Sequence, residues 1–300
     1  MSANGKPLRV GAEAIAEKGW WHAHRFLILR RATQAAILLL FLVGPWFGLW
    51  IVKGNLSYSY TLNTLPLADP YLLLQSLLAG QRPERLAIIG VAIVAVFYLL
   101  VGGRVFCSWV CPVNPLTDLA RVVRNRLGLK GGAHISRQAR FWILGATLVL
   151  ALATGTIAWE MVNPVSMLHR GLIFGFGFAW TVVLAVFLFD VFVMREGWCG
   201  HLCPVGAFYS LLGRASPVRI HLPARAACND CMDCFAVCPE QQVIRAPLKG
   251  IHDAPPVILD AACTNCGRCI DVCSKDVFAF GIRRAPPPLN RIGALQSAPK

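Results

Sequence analysis

The chemistry of this 300-residue chain lies in its twelve cysteines, all of which fall in short, repeated spacings. Cys228, Cys231, Cys234 and Cys238 follow C-x2-C-x2-C-x3-C with Pro239 behind the last. Cys263, Cys266, Cys269 and Cys273 repeat the run, with Ser274 where the proline would stand. Three thiolates in one tight loop can grip three corners of an iron–sulfur cube. In the bacterial two-cluster arrangement the fourth ligand comes from the other run. The spacing therefore predicts two 4Fe-4S clusters, one on Cys228, Cys231, Cys234 and Cys273, the other on Cys238, Cys263, Cys266 and Cys269. Zinc also accepts four thiolates, but its sites usually pair two C-x2-C knuckles, which two three-plus-one runs do not resemble. Such metal-type spacings argue for reduced thiolates rather than a disulfide framework.

The other four cysteines form a second repeat. Phe106-Cys107-Ser108-Trp109-Val110-Cys111-Pro112 and Trp198-Cys199-Gly200-His201-Leu202-Cys203-Pro204 are two copies of an aromatic-C-x3-C-P unit. Residues at i and i+4 share a helical face one turn apart, so Cys107, Cys111, Cys199 and Cys203 are expected to be metal-binding or redox thiols. The plainer alternative is four small buried residues without redox work.

The elements that carry these groups are apolar. Hydrophobic residues make up 56% of the chain and charged residues 15%, against about 25% charged in soluble domains. Four runs, about 32–52, 86–103, 141–159 and 171–194, approach the roughly 20 residues a bilayer-spanning helix needs. The expected fold is an α-helical polytopic membrane protein with four transmembrane helices, followed by an α+β two-cluster ferredoxin-like domain. The expected divisions are an N-terminal cytoplasmic segment 1–31, a membrane domain 32–212, a ferredoxin-like domain 213–284 and a flexible tail 285–300. The first run is expected to persist as a helix, because no small-residue cleavage site follows Val52. Each C-x3-C-P unit follows a helix running outside to inside, so the membrane domain is expected to be a twofold repeat of helix pairs.

A net charge of +14 could point to nucleic acid, but the distribution of charge gives another reason for it. With the N-terminus inside, 25 of the 29 Lys and Arg residues fall on the cytoplasmic side. That is the positive-inside pattern, and it predicts a bacterial inner-membrane protein with both termini in the cytoplasm. The apolar stretch from Tyr71 to Leu78 is too short to span and is expected to lie in the outer interface.

Single residues carry weaker expectations. Asp190, a carboxylate within a span, is a candidate proton acceptor for quinol oxidation, or else a partner of Arg195 or an interfacial arginine. His169, Glu160 and Asn163 lie in a short outer loop where a quinol head group could dock. His22 and His24 follow the interfacial anchors Trp20 and Trp21 and are candidates for a proton relay or ligand.

Taken together, Gly19-Trp20-Trp21, Gly44-Pro45-Trp46-Phe47-Gly48, both C-x3-C-P units and the two ferredoxin runs resemble the NapH family over nearly the whole chain. NapH proteins are the ferredoxin-type membrane subunits of the quinol dehydrogenase that serves periplasmic nitrate reductase. The resemblance implies a periplasmic iron–sulfur partner like NapG, with the nitrate reductase and its cytochrome as indirect partners and quinol as substrate. The related FixG and RdxA proteins of copper-oxidase maturation share the C-x3-C-P and double-cluster segments, so a reductase for metal-centre assembly is a competing function. A cluster-bearing membrane anchor is another. No c-type haem C-x-x-C-H, flavin attachment sequence or dinucleotide glycine turn is present, so the chain by itself is not expected to reduce nitrate or oxidise NADH.

Overall fold

The computed structural model of the chain describes residues 10–129, 131–175 and 177–283, so the expected tail 285–300 lies outside the described residues. The elements are α1 (Ala12–Lys18), α2 (Trp20–Phe47), β1 (Val52–Gly54), β2 (Tyr58–Thr61), β3 (Leu65–Ala68), α3 (Pro70–Leu78), α4 (Arg85–Val101), α5 (Val113–Arg126), α6 (Ala139–Thr154), α7 (Pro164–Phe174), α8 (Phe178–Leu188), α9 (Pro204–Leu212), β4 (Val218–His221), α10 (Asp233–Val237), α11 (Gln242–Lys249), α12 (Arg268–Val272) and β5 (Ala279–Ile282). Among the described residues one helix, α2, is long and apolar enough to cross a membrane. Arg85–Val101, Ala139–Thr154 and Phe178–Val193 are shorter apolar helices.

The expected runs and the helices differ where glycine intervenes. The run 32–52 becomes a helix that starts at Trp20 and stops at Phe47, with Gly48 left-handed (φ 73°) as its cap. The run 141–159 stops at Thr154, where Gly155 is left-handed (φ 66°), and Ala158–Met161 is a separate 3-10 turn. The run 171–194 is not one helix. Helix α7 ends before Gly175 (φ 85°), α8 starts after Gly177, and the two pack against each other.

The segment between α2 and α4 also differs from expectation. Strands β1, β2 and β3 form an antiparallel sheet in that order, with Lys53 opposite Tyr60 and Ser59 opposite Leu67. Helix α3 then starts with a proline at its first turn, and the Asp69 side chain accepts from Tyr71 N at 2.9 Å. One face of this stretch packs against α4 and α6, with Tyr71 and Gln75 fully buried, while Leu77 on the other side is 48% exposed. Two of its buried polar atoms find partners inside. Tyr71 Oη and Thr147 Oγ1 are 2.7 Å apart, and Gln75 Oε1 accepts from Trp159 N.

The helical unit is a duplication. Helices α2, α3 and α4, the first C-x3-C-P unit and α5 correspond to α6, α7 and α8, the second unit and α9. Each short helix opens on an Asx-Pro pair, Asp69-Pro70 or Asn163-Pro164, and Asn163 Oδ1 accepts from Val165 N at 3.1 Å. The halves interlock, for α3 packs on α6 while α7 packs on α2, and α9 packs on α4 while α5 packs on α8. Their backbones nearly touch at Gly103 and Gly213. A Cβ on Gly103 would meet the Tyr209 carbonyl oxygen at 1.8 Å, so only glycine fits.

The C-terminal unit is α+β. Strands β4 and β5 pair antiparallel, and Ile220, Leu222, Ile244, Ile258, Val277 and the cluster-run cysteines form its core. Helix α1 and the first turns of α2 dock on this unit. Asp271, fully buried, accepts from Phe26 N (3.1 Å) and Leu27 N (3.0 Å) and pairs with Arg268 (2.8 Å). The described part of the N-terminal segment is therefore packed against the C-terminal unit rather than standing apart from it.

Candidate functional site

Three small cavities are each lined by four cysteines. Cys228, Cys231, Cys234 and Cys273 line one, and Cys238, Cys263, Cys266 and Cys269 line the second. The same turn builds both. Asp230 (φ 57°) and Met232 (φ 66°) in the first run, and Asn265 (φ 47°) and Gly267 (φ 72°) in the second, occupy matching left-handed positions two and four residues after the leading cysteine. Three of these are not glycine, and left-handed backbone held at non-glycine residues gathers at ligand sites. Such turns aim N–H groups at the sulfurs, and across the first cavity Val277 N reaches Cys273 Sγ at 3.4 Å.

The donor set is all thiol, which suits iron–sulfur chemistry. Among the described residues no three His, Cys, Asp or Glu side chains converge as one metal ion would require. Burial pushes Cys234 and Cys263 up to about 12 and raises Cys238 and Cys269 well above the usual thiol range. Ionising such thiols takes a cationic partner of the kind iron provides. The two cavities differ in exposure, with Cys231 exposed in the first and Cys266 and Cys269 buried in the second.

The third cavity holds Cys107, Cys111, Cys199 and Cys203 together with Phe106, Trp159, Asn163, Pro164 and Trp198. Each pair comes from one half of the duplication. The residues between the cysteines are not α-helical as the i, i+4 spacing implies. Phe106–Val110 and Trp198–Leu202 are π turns, closed by Cys111 N to Phe106 O and Cys203 N to Trp198 O, both at 2.9 Å. Single π turns of this kind concentrate at functional sites. The indoles of Trp159 and Trp198 stack over the cavity with centroids 6.3 Å apart. Burial raises all four thiols above their ordinary range.

A buried charge network joins the helical unit to the second cluster loop. Arg104 Nη1 donates to Glu240 Oε1 and, at 2.7 Å, to Ala262 O, while its Nη2 donates to Cys199 O at 3.1 Å. Arg140 reaches the same carboxylate oxygen at 3.0 Å and Gly200 O at 3.2 Å. Burial opposes ionisation of Glu240, but Arg104 and Arg140 outweigh it and hold the carboxyl below its ordinary range. Beside this network Ser108 Oγ donates to Thr264 O at 2.8 Å, Trp109 Nε1 to Asn265 O at 3.1 Å, and Asn265 Nδ2 to Val101 O at 3.2 Å.

Sequence reasoning missed these residues. Arg104 stands at the end of an apolar run, where a charge marks an interface equally well. The one available signal was an acidic residue directly behind the C-P of the first ferredoxin run.

The weaker candidates are scattered. Asp190 is buried, and its Oδ1 accepts from Trp198 N at 2.9 Å, fastening the turn that carries Cys199. It forms no ion pair with Arg195, which pairs with Glu196 instead. His169 is not an exposed loop residue, because α7 already includes it; it is buried edge-on against Phe41 with centroids 5.9 Å apart. Glu160 pairs with Arg170 at 3.7 Å and accepts from Asn163 Nδ2 at 3.2 Å. Of this group Asn163 alone reaches the third cavity. His24 stacks on Trp20 with Nδ1 2.9 Å from Trp20 O, and His22 is exposed, both far along the chain from any thiol.

Comparison with known proteins agrees with this chemistry. Residues 86–130 and 173–223 match the family model of a 4Fe-4S binding domain, and residues 222–278 match that of a 4Fe-4S dicluster domain. The chain is 49% identical to the ferredoxin-type protein NapH of Escherichia coli (strain K12), over 91% of this chain and 95% of that protein. It is 48% identical to NapH of Haemophilus influenzae, over 92% and 96%. It is also 52% identical to the methylamine utilization ferredoxin-type protein MauN of Paracoccus denitrificans, over 91% and 96%. No solved structure matches the chain. The chain therefore belongs to the family of ferredoxin-type NapH and MauN proteins and is an iron–sulfur electron-transfer protein.

Proposed function

We propose that the chain is the membrane iron–sulfur subunit of a quinol dehydrogenase, passing electrons from the quinol pool towards a periplasmic nitrate reductase through a NapG-like periplasmic iron–sulfur partner. The observation that carries the reading is a unit with two four-thiol cavities, fixed by the buried Arg104–Glu240 pair to an apolar helical unit. The likeness to NapH supports the choice of pathway.

In this reading α2, α4, α6 and α8 cross the membrane, and α3 and α7 enter it only part-way from the outer side. Non-helical backbone such as the Ala68–Asp69 and Val162–Asn163 joints is tolerated at depth where protein covers it, and the Asp69 and Asn163 side chains each accept from a backbone N–H of the helix that follows. The excess of Lys and Arg on one side of the expected spans supports a C-terminal unit in the cytoplasm of a bacterial inner membrane. Clusters on the eight run cysteines, grouped as the two cavities group them, supply one-electron storage. A quinol releases two electrons and two protons, so a site within the bilayer must sit beside a one-electron relay. The protein residues bind and orient. The nine-tenths-buried thiols Cys234, Cys266 and Cys269 keep water from the sites, and the Asp230 and Asn265 turns orient the loops.

The test is to add a quinol to anaerobic membranes that contain the chain and its periplasmic partner. Bleaching of the cluster absorbance is the expected result, and absence of bleaching under every reconstitution would defeat the reading. The likeness to MauN favours a second recipient, an electron acceptor of methylamine utilization. Deleting the gene and scoring growth on nitrate against growth on methylamine separates the two.

A further inference from the structure

We propose that Cys107, Cys111, Cys199 and Cys203 together hold a third iron–sulfur cluster, shared between the two halves of the helical unit and wired to the second ferredoxin-type site. Each of the two stretches that match a 4Fe-4S binding domain contains just two cysteines, so neither can ligate a cluster alone. The fold removes that shortage by bringing both pairs to one cavity. At about 30 Å³ it is as large as the two cavities of the ferredoxin runs, about 20 Å³ each. Like them it is lined by four cysteines, the all-thiol donor set that suits iron–sulfur chemistry.

Charge makes the same demand. Arg104 and Arg140 are buried, 3% and 4% exposed, and the buried carboxylate they share is that of Glu240. Two guanidinium groups on one carboxylate leave positive charge in excess, although Arg137 also reaches Glu240 from the surface and adds to it. Buried charge without a counter-charge is costly. The Cys107 thiol lies beside Arg104 and Arg140, and four thiolates around an iron–sulfur core form an anion that meets the excess.

The wiring is short. Ser108 follows Cys107, Thr264 follows Cys263, and one hydrogen bond, Ser108 Oγ to Thr264 O at 2.8 Å, joins them. Arg104 makes a second bridge, from Cys199 O to Ala262 O, the residue before Cys263. A further small cavity between the sites is lined by Cys107 and Cys199 on one side and by Pro239, Glu240 and Thr264 on the other. One electron moves between the two centres, with no covalent bond formed or broken and no proton transferred. The order of sites is then the exposed Cys231 centre, the buried Cys266 centre, and the shared centre between the helices.

The experiment is iron and acid-labile sulfide per chain on the full protein, purified anaerobically, with paramagnetic resonance of the reduced protein. Two cubes account for about eight irons. The proposal expects a count clearly above that in the wild type, falling to about eight in Cys107→Ser/Cys199→Ser while both ferredoxin-type signals persist. A wild-type count of about eight overturns it and requires no variant to fold. An excess that survives the double substitution, or recovery of the four cysteines as disulfides, overturns it as well. Quinol bleaching is a separate readout. Its absence alongside the high iron count would count against the quinol reading and leave the third centre standing.

Discussion

The chain solves one problem twice, in two duplicated regions. In the C-terminal unit each run contributes three cysteines to its own cavity and one to the other, and paired left-handed turns at Asp230 and Asn265 shape the loops. In the helical unit each half contributes two cysteines to one common cavity, and paired π turns after α4 and α8 present them. Three-plus-one exchange makes two sites inside a small unit whose sites are complete without the helices. Two-plus-two sharing makes one site that exists only when the halves interlock. In the proposed reading the first arrangement would store electrons, and the second would tie a redox site to the assembly of the helices around it.

Glu240 is the buried carboxylate that Arg104 and Arg140 of the helical unit share, so its removal is expected to have the largest effect on how the two regions are joined. Glu240→Ala leaves Arg104 and Arg140 buried without their carboxylate, a change worth about 3–5 kcal/mol when a buried pair loses one partner. The expected outcome is a lower melting temperature and cleavage between α9 and β4 by limited proteolysis. A variant as resistant as the wild type would mean that the joint does not hold the units together. Chelation sharpens the comparison inside the C-terminal unit. With Cys231 exposed and Cys266 and Cys269 buried, iron treated with an oxidant and chelator should leave in two phases. The paramagnetic signal of the Cys231 centre should disappear first, and loss of both signals together would contradict the difference in burial.

The smallest effect is expected at Asp190. Asparagine keeps an oxygen for Trp198 N, so Asp190→Asn should retain the fold and leave the electron flux unchanged. A large loss of flux with the fold intact would restore Asp190 as a proton acceptor.

The grouping of the eight run cysteines into two cavities was legible, because the three-plus-one spacing sets which loop each cysteine stands in. The helices were less so. Apolar composition marks a stretch as buried in lipid or protein without saying which, so the expectation of Tyr71–Leu78 in the outer interface carried no sign that Tyr71 and Gln75 pack inside while Leu77 stays exposed. The run 171–194 hid a reversal at Gly175 and Gly177, because glycine is common in membrane helices and does not by itself announce a turn. The four C-x3-C-P cysteines were recognised as a repeat. Their convergence depends on the halves interlocking, a long-range fact that a spacing of four residues cannot hold.

If the helical unit and the ferredoxin-type unit form one electron path, the rate of cluster bleaching by quinol depends on both. The measurement compares the full chain in lipid nanodiscs with its Cys107→Ser/Cys199→Ser variant, both with their ferredoxin-type signals verified. The account predicts rapid bleaching in the wild type and at least a roughly tenfold slower rate in the variant, equivalent to about 1.4 kcal/mol of barrier. Equal rates in the two proteins would contradict it.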